Sequence, residues 1–111
     1  MKKEEVAGRL YQAISYRIEY DTLDALMCDE RDVCVEISLG EYLASVTLDI
    51  CYRDIGQGKV YHEIPYIEVN EVVVTTSDAY HNDIADYICS KLDYDIECVN
   101  DKLIKNALQI A

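Results

Sequence analysis

Apolar and polar residues alternate through the segment that begins at Val33. Val33, Val35, Ile37 and Leu39 hold the odd positions, and Tyr42, Ala44, Val46, Leu48 and Ile50 hold the even ones. A period of two marks a strand with one covered face. A two-residue reversal at Gly40-Glu41 predicts Leu39 opposite Tyr42, Ile37 opposite Ala44, Val35 opposite Val46 and Val33 opposite Leu48, all on one side of a sheet. The other side then pairs Cys34 with Thr47, Glu36 with Ser45 and Ser38 with Leu43, and is mostly polar. Glycine first in the loop suits a type II′ turn, whose twist matches its strands.

The flanking segments change period. Val6, Leu10 and Ile14 recur every four residues, which predicts a helix from Lys3 to about Ser15; Tyr16–Tyr20 alternates and reads equally as a short strand or, the reading taken here, as the helix continuing toward Tyr20. A short helical turn over Asp21–Cys28 follows, with Asp21 or Thr22 as its N-cap. Beyond the hairpin, Gly56-Gln57-Gly58-Lys59 reads as a loop and Val60–Ile64 as a third strand. Pro65 marks an edge or a bend, because proline cannot donate to a ladder. Asn70-Glu71 offers a further turn, and Val72–Thr75 reads as a fourth strand covered on both faces. Thr76-Ser77-Asp78 signals a helix start, capped by Ser77 or Asp78. Tyr80, Ile84, Tyr87, Ile88 and Leu92 share one helical face. Ile96, Val99, Leu103, Ala107 and Ile110 form the stripe of a second helix after a break near Asp93.

This order predicts a single α+β domain over residues 1–111. It has an N-terminal helix, an antiparallel meander of about four strands, and two C-terminal helices packed on one sheet face. A chain of this length buries a core without staples. The five cysteines are odd in number and lack Cys-x-x-Cys spacing. The charged start, Lys2-Lys3-Glu4-Glu5, is not the opening of a signal peptide. No apolar run approaches the roughly 20 residues that span a bilayer. Together these features give the expectation of reduced thiols in a cytoplasmic protein.

Charge and aromatic usage narrow the function classes. The formal net charge is -12, from 22 acidic and 10 basic side chains. That argues against direct nucleic-acid binding, which needs a basic face, and against an anionic membrane. It leaves a basic partner, or simple solubility. The chain has ten tyrosines and no phenylalanine or tryptophan. Tyrosine favours half-buried borders and interfaces.

Candidate chemistry is sparse. Gly56-Gln57-Gly58-Lys59 lacks the spacing of a phosphate loop and leads into a strand. Asp93-x-Asp95-x-Glu97 imitates the start of a calcium loop, but Cys98 and Ile104 stand where glycine and glutamate belong. His62 and His81 have no metal-ligand spacing. His81 and Cys89 are about 12 Å apart in helical rise, too far to pair. Asp83 and Asp86 neighbour each other on a polar helix face. No catalytic, cofactor or metal residue is assigned. A possible acidic interaction surface comprises Asp78, Asp83, Asp86, Asp93, Asp95, Glu97 and Asp101, interrupted by Lys91, Lys102 and Lys105.

The reading is a small non-enzymatic protein-interaction or assembly module, with a protein partner or itself as partner in a homodimer. The first alternative is an acidic nucleic-acid mimic that occupies a nucleic-acid-binding protein. The second is a small enzyme using a cysteine or a carboxylate.

Overall fold

The computed structural model describes residues 2–57 and 60–110. The chain is α+β. Helix α1 (Lys3–Met27) is followed by three strands, β1 (Asp32–Leu39), β2 (Tyr42–Gln57) and β3 (Val60–Thr75), and by helix α2 (Asn82–Ile110). The sheet is antiparallel in the order β1-β2-β3.

The hairpin has the register that its alternation implies, from Leu39 opposite Tyr42 to Val33 opposite Leu48. Gly40 takes a φ of 58°, while Glu41 stays out of the positive-φ region, the combination a type II′ turn requires. Val33, Val35, Ala44, Val46, Leu48 and Ile50 are buried on one side. Cys34, Glu36 and Ser38 on the other are exposed.

Both helices lie on the buried side, α1 over β1 and α2 over β3, and touch each other. Leu10, Ile14 and Ile18 of α1 meet Ile88 and Leu92 of α2 within one core. The cross-links between the helices run in chain order. Lys3 pairs with Asp83, Tyr11 and Ser15 donate to Asp95, and Lys102 pairs with Glu19. The two helices are therefore parallel.

Four expectations are corrected. First, α1 is one helix through Met27, with no separate turn at Asp21. The buried stripe simply continues from Ile14 through Ile18 and Thr22 to Ala25. Thr22 is not a cap; its hydroxyl is fully buried and lacks a hydrogen-bond partner.

Second, there are three strands and not four, because β3 passes through both expected breaks. Pro65 sits opposite Tyr52. Its neighbour Ile67 turns its N–H away from β2, toward Asn100. Alternation turns the nitrogen of Pro65 the same way, so the ladder loses no bond. Asn70 is absorbed as a bulge, where pairing jumps from Thr47–Glu71 to Leu48–Val69. Val74 is buried, but Val73 on the uncovered side stays half-buried, so the helices cover one face of this segment and not two.

Third, one C-terminal helix replaces two. Asp93 and Asp95 do not break α2, because Ile88, Leu92, Val99 and Leu103 keep a single stripe against the core.

Fourth, α2 starts at Asn82, after the expected caps. Thr76-Ser77-Asp78 instead belongs to a return that presses back on β3. Tyr80 bridges Thr75, and the His81 N–H donates to the Val74 carbonyl at 2.8 Å.

Gly58 and Lys59 of the expected glycine loop lie outside the described residues. The β2–β3 ribbon reaches beyond β1, which pairs only as far as Asp49. The protein is elongated as a result, with extents of 55 × 23 × 18 Å and a radius of gyration of 15.9 Å. A compact domain near this size measures about 13 Å.

Two substitutions test these assignments. Thr22→Val removes the unpaired hydroxyl while keeping the shape, and is expected to stabilise the fold by about 1 kcal/mol in urea denaturation. A loss of stability would show that the hydroxyl has a partner in solution. Gly40→Ala meets open space but places a Cβ at positive φ. It should cost roughly 1 kcal/mol, and an unchanged midpoint would reject the turn geometry.

Candidate functional site

The seven acidic residues differ in their surroundings. Asp78 lies in the connection before α2. Asp83, in the first turn of α2, is held by Lys3 at 2.7 Å. Asp95 faces α1, where it accepts hydrogen bonds from Tyr11 (2.6 Å) and Ser15 (2.7 Å). That bond and the burial around it push the Tyr11 phenol above its usual range. Asp83 and Asp95 thus tie the two helices together.

Asp86, Asp93, Glu97 and Asp101 remain, all exposed. Their spacing of seven, four and four keeps them near one side of α2. They span about 22 Å of helix. Four carboxylates over that length are far sparser than the phosphates of a duplex, which carry one charge per ~1.7 Å. Lys91 lies over the Tyr87 ring and Lys102 on Glu19, while Lys105, four residues beyond Asp101, continues the carboxylate side.

The His62 side chain lies outside the described residues; among the described ones, His81 and the thiols do not assemble a reactive centre. His81 shares a hydrogen bond with Thr76 Oγ1 at 3.0 Å, and its ring lies tilted against that of Tyr42, 5.1 Å between centroids. The five cysteines are dispersed: Cys28 and Cys34 are exposed, and Cys51, Cys89 and Cys98 are half-buried. Among the described residues, no group of three or more metal-donor side chains occurs. Among the same residues, no helix is long and apolar enough to cross a membrane.

Two other features stand out, and neither is an acidic cluster. The first is a ridge on α1. Its solvent side is polar at Glu5, Arg9 and Gln12, then becomes apolar. Tyr16, Tyr20, Leu23 and Met27 are 74%, 61%, 40% and 85% exposed. Steps of four, three and four put them on one line, opposite buried Ile14 and Ile18. The Tyr16 and Tyr20 rings lie 6.0 Å apart. This ridge was legible in principle from its spacing. It was obscured because Tyr16–Tyr20 alternates as a strand would.

The second is a groove of about 560 Å³ between β3 and α2. Tyr66 to Val72 form one wall, and Cys89, Asp93, Ile96 and Asn100 the other. At its end, Asn100 holds Ile67 by both backbone groups. The Ile67 N–H donates to Oδ1 at 2.8 Å, and Nδ2 donates to the Ile67 carbonyl at 3.1 Å. No local sequence signal marks this groove, since it depends on where α2 crosses the sheet. A smaller hollow of about 220 Å³, between the helix starts, contains the Lys3–Asp83 pair.

The ion pair has a pH signature. Lys3 holds Asp83 below the usual carboxylate range, and Asp83 raises Lys3. A lowered carboxylate stabilises the fold above its unfolded pKa of about 3.9, and that contribution fades as pH falls through the folded value. The raised lysine contributes below about pH 10.4 and loses its contribution as pH climbs through its folded value. Lys3→Ala is expected to move the Asp83 titration upward in an NMR pH series; an unmoved midpoint would mean the pair does not form in solution. Comparison with protein-family models, with curated proteins and with solved structures finds no match to this chain.

Proposed function

We propose that this protein works by contact with other proteins and not by catalysis, and that it associates with a second copy of itself through α1. The observation that carries this reading is the exposed apolar ridge of Tyr16, Tyr20, Leu23 and Met27. Large apolar side chains in a contiguous exposed line mark interaction surfaces, whereas single ones do not.

The ridge is symmetric in a way that favours self-association. A two-fold axis between Tyr20 and Leu23 sets two α1 helices antiparallel. Each Tyr20 then meets a Leu23, and each Tyr16 meets a Met27. Both pairings put an aromatic ring against a flexible aliphatic or thioether chain. A closed isologous dimer is also the commonest oligomer. One helix face gives a small interface, so a roughly micromolar dissociation constant is expected.

The nucleic-acid mimic ranks behind this reading because its carboxylates are too widely spaced. The enzyme ranks last, because among the described residues no concave pocket gathers convergent polar groups.

Charge supplies the test. Two copies at a net charge of -12 each repel. Screening should therefore strengthen the dimer as salt rises. Sedimentation equilibrium is expected to show a concentration-dependent mass that increases between low and moderate salt. Tyr20→Asp with Leu23→Asp should give a folded monomer and weaken association at least about 100-fold, since both sites are exposed and face each other at the axis. A monomeric wild type at high concentration, or an unaffected double variant, would reject the ridge as the interface.

A further inference from the structure

We propose that the groove between β3 and α2 receives a short, extended, basic protein segment that pairs with the edge of β3. The proposal extends the protein-binding reading to a second surface, and does not use the α1 ridge.

β3 is an edge strand, and its outward backbone groups are blocked at two places. At Val74 the carbonyl is taken by the His81 N–H. At Ile67 both groups are taken by the Asn100 amide, which stands in for a neighbouring strand. Alternation puts the N–H and C=O of Val69 and of Val72 on this same outward side. Among the described residues neither position has an outward hydrogen-bond partner. The open window between the two blocks coincides with the groove.

An open edge is a template for an added strand, and main-chain hydrogen bonds supply the affinity. The groove volume lies within the range of about 300–1,000 Å³ typical of binding pockets. Its walls choose the occupant. Glu68, Glu71 and Asp93 line it beside the apolar Val69, Val72 and Ile96. An extended segment that alternates basic and apolar side chains matches both. The free edge of β1 suits such a segment less well, because Arg17 is anchored there on the Glu36 carbonyl.

The test uses the full-length Tyr20→Asp/Leu23→Asp variant, so that failure here and failure of the ridge are separate results. The probes are a capped seven-residue peptide alternating arginine and valine, its glutamate-for-arginine counterpart, and a form N-methylated on the pairing face. The arginine peptide is expected to bind, to shift the Val69 and Val72 amides in NMR spectra, and to weaken with salt. The glutamate peptide should not bind. N-methylation should weaken binding about fivefold for each backbone bond removed. Glu68→Gln, Glu71→Gln and Asp93→Asn, at exposed carboxylates, should each weaken it severalfold without changing the thermal midpoint. No binding, equal binding of the N-methylated form, or shifts confined to Cys34 and Ser38 of β1 would overturn the proposal. So would a doubled mass of the variant alone, which would assign the edge to a second copy.

Discussion

A common side for the apolar residues of β1 and β2 is the constraint on which the rest depends. The reversal at Gly40 puts Val33, Val35, Ala44, Val46 and Leu48 on one surface. That surface has to be covered by something, and only the helices have apolar stripes long enough to do it. Val6, Leu10, Ile14 and Ile18 form one stripe, and Ile84, Ile88, Leu92 and Val99 the other. At about 25 cal/mol per Å² of apolar surface, burial on this face is the dominant favourable contribution to folding. A slip of one residue in the hairpin would turn every one of these strand side chains to solvent.

The number of strands then fixes the direction of the helices. Between α1 and α2 the chain reverses at each of four junctions, so the helices emerge parallel. Parallel helices bring Lys3 to Asp83, Tyr11 to Asp95 and Glu19 to Lys102 in matching order. A fourth strand would have made α2 antiparallel and separated all three pairs. The polar contacts between the helices are therefore a consequence of topology. The two exposed ion pairs contribute little by themselves. The Asp95 acceptor, shared by two hydroxyls in a half-buried seam, fixes how the helices sit along each other.

The same arrangement decides which surfaces remain unused. Helices on one side leave both outer strands with a free edge. Each edge takes one helix side chain as a plug: Arg17 on Glu36 of β1, and Asn100 on Ile67 of β3. Plugging is incomplete on β3, because Asn100 reaches only Ile67 and the bulge at Asn70 shifts the register beside it. On α1, the second half of the helix covers the sheet with one face while its opposite face stays apolar at Tyr16, Tyr20, Leu23 and Met27. Both features are spaces that the folded chain does not fill for itself.

Alternation and turn chemistry are local, so the residues alone determined the hairpin, its register and its polar outer side. They also determined the helical character of both ends. Where helix and strand end was decided by the tertiary structure. Asp21, Pro65, Asp93 and the Thr76-Ser77-Asp78 run each carry a local stop or start signal, and each is overridden. A propensity of about 1 kcal/mol yields to a continuous buried stripe, or to a proline whose nitrogen faces away from the ladder. The surroundings of the acidic residues depend on packing in the same way. Five of these carboxylates share one side of α2, whereas Asp95 is turned onto Tyr11 and Ser15 of α1, so the packing of the helices decides which of them stay free. The β3 groove joins residues that are distant in the chain, Val69 with Ile96 and Ile67 with Asn100, so only the packing of α2 across the sheet could bring it into being.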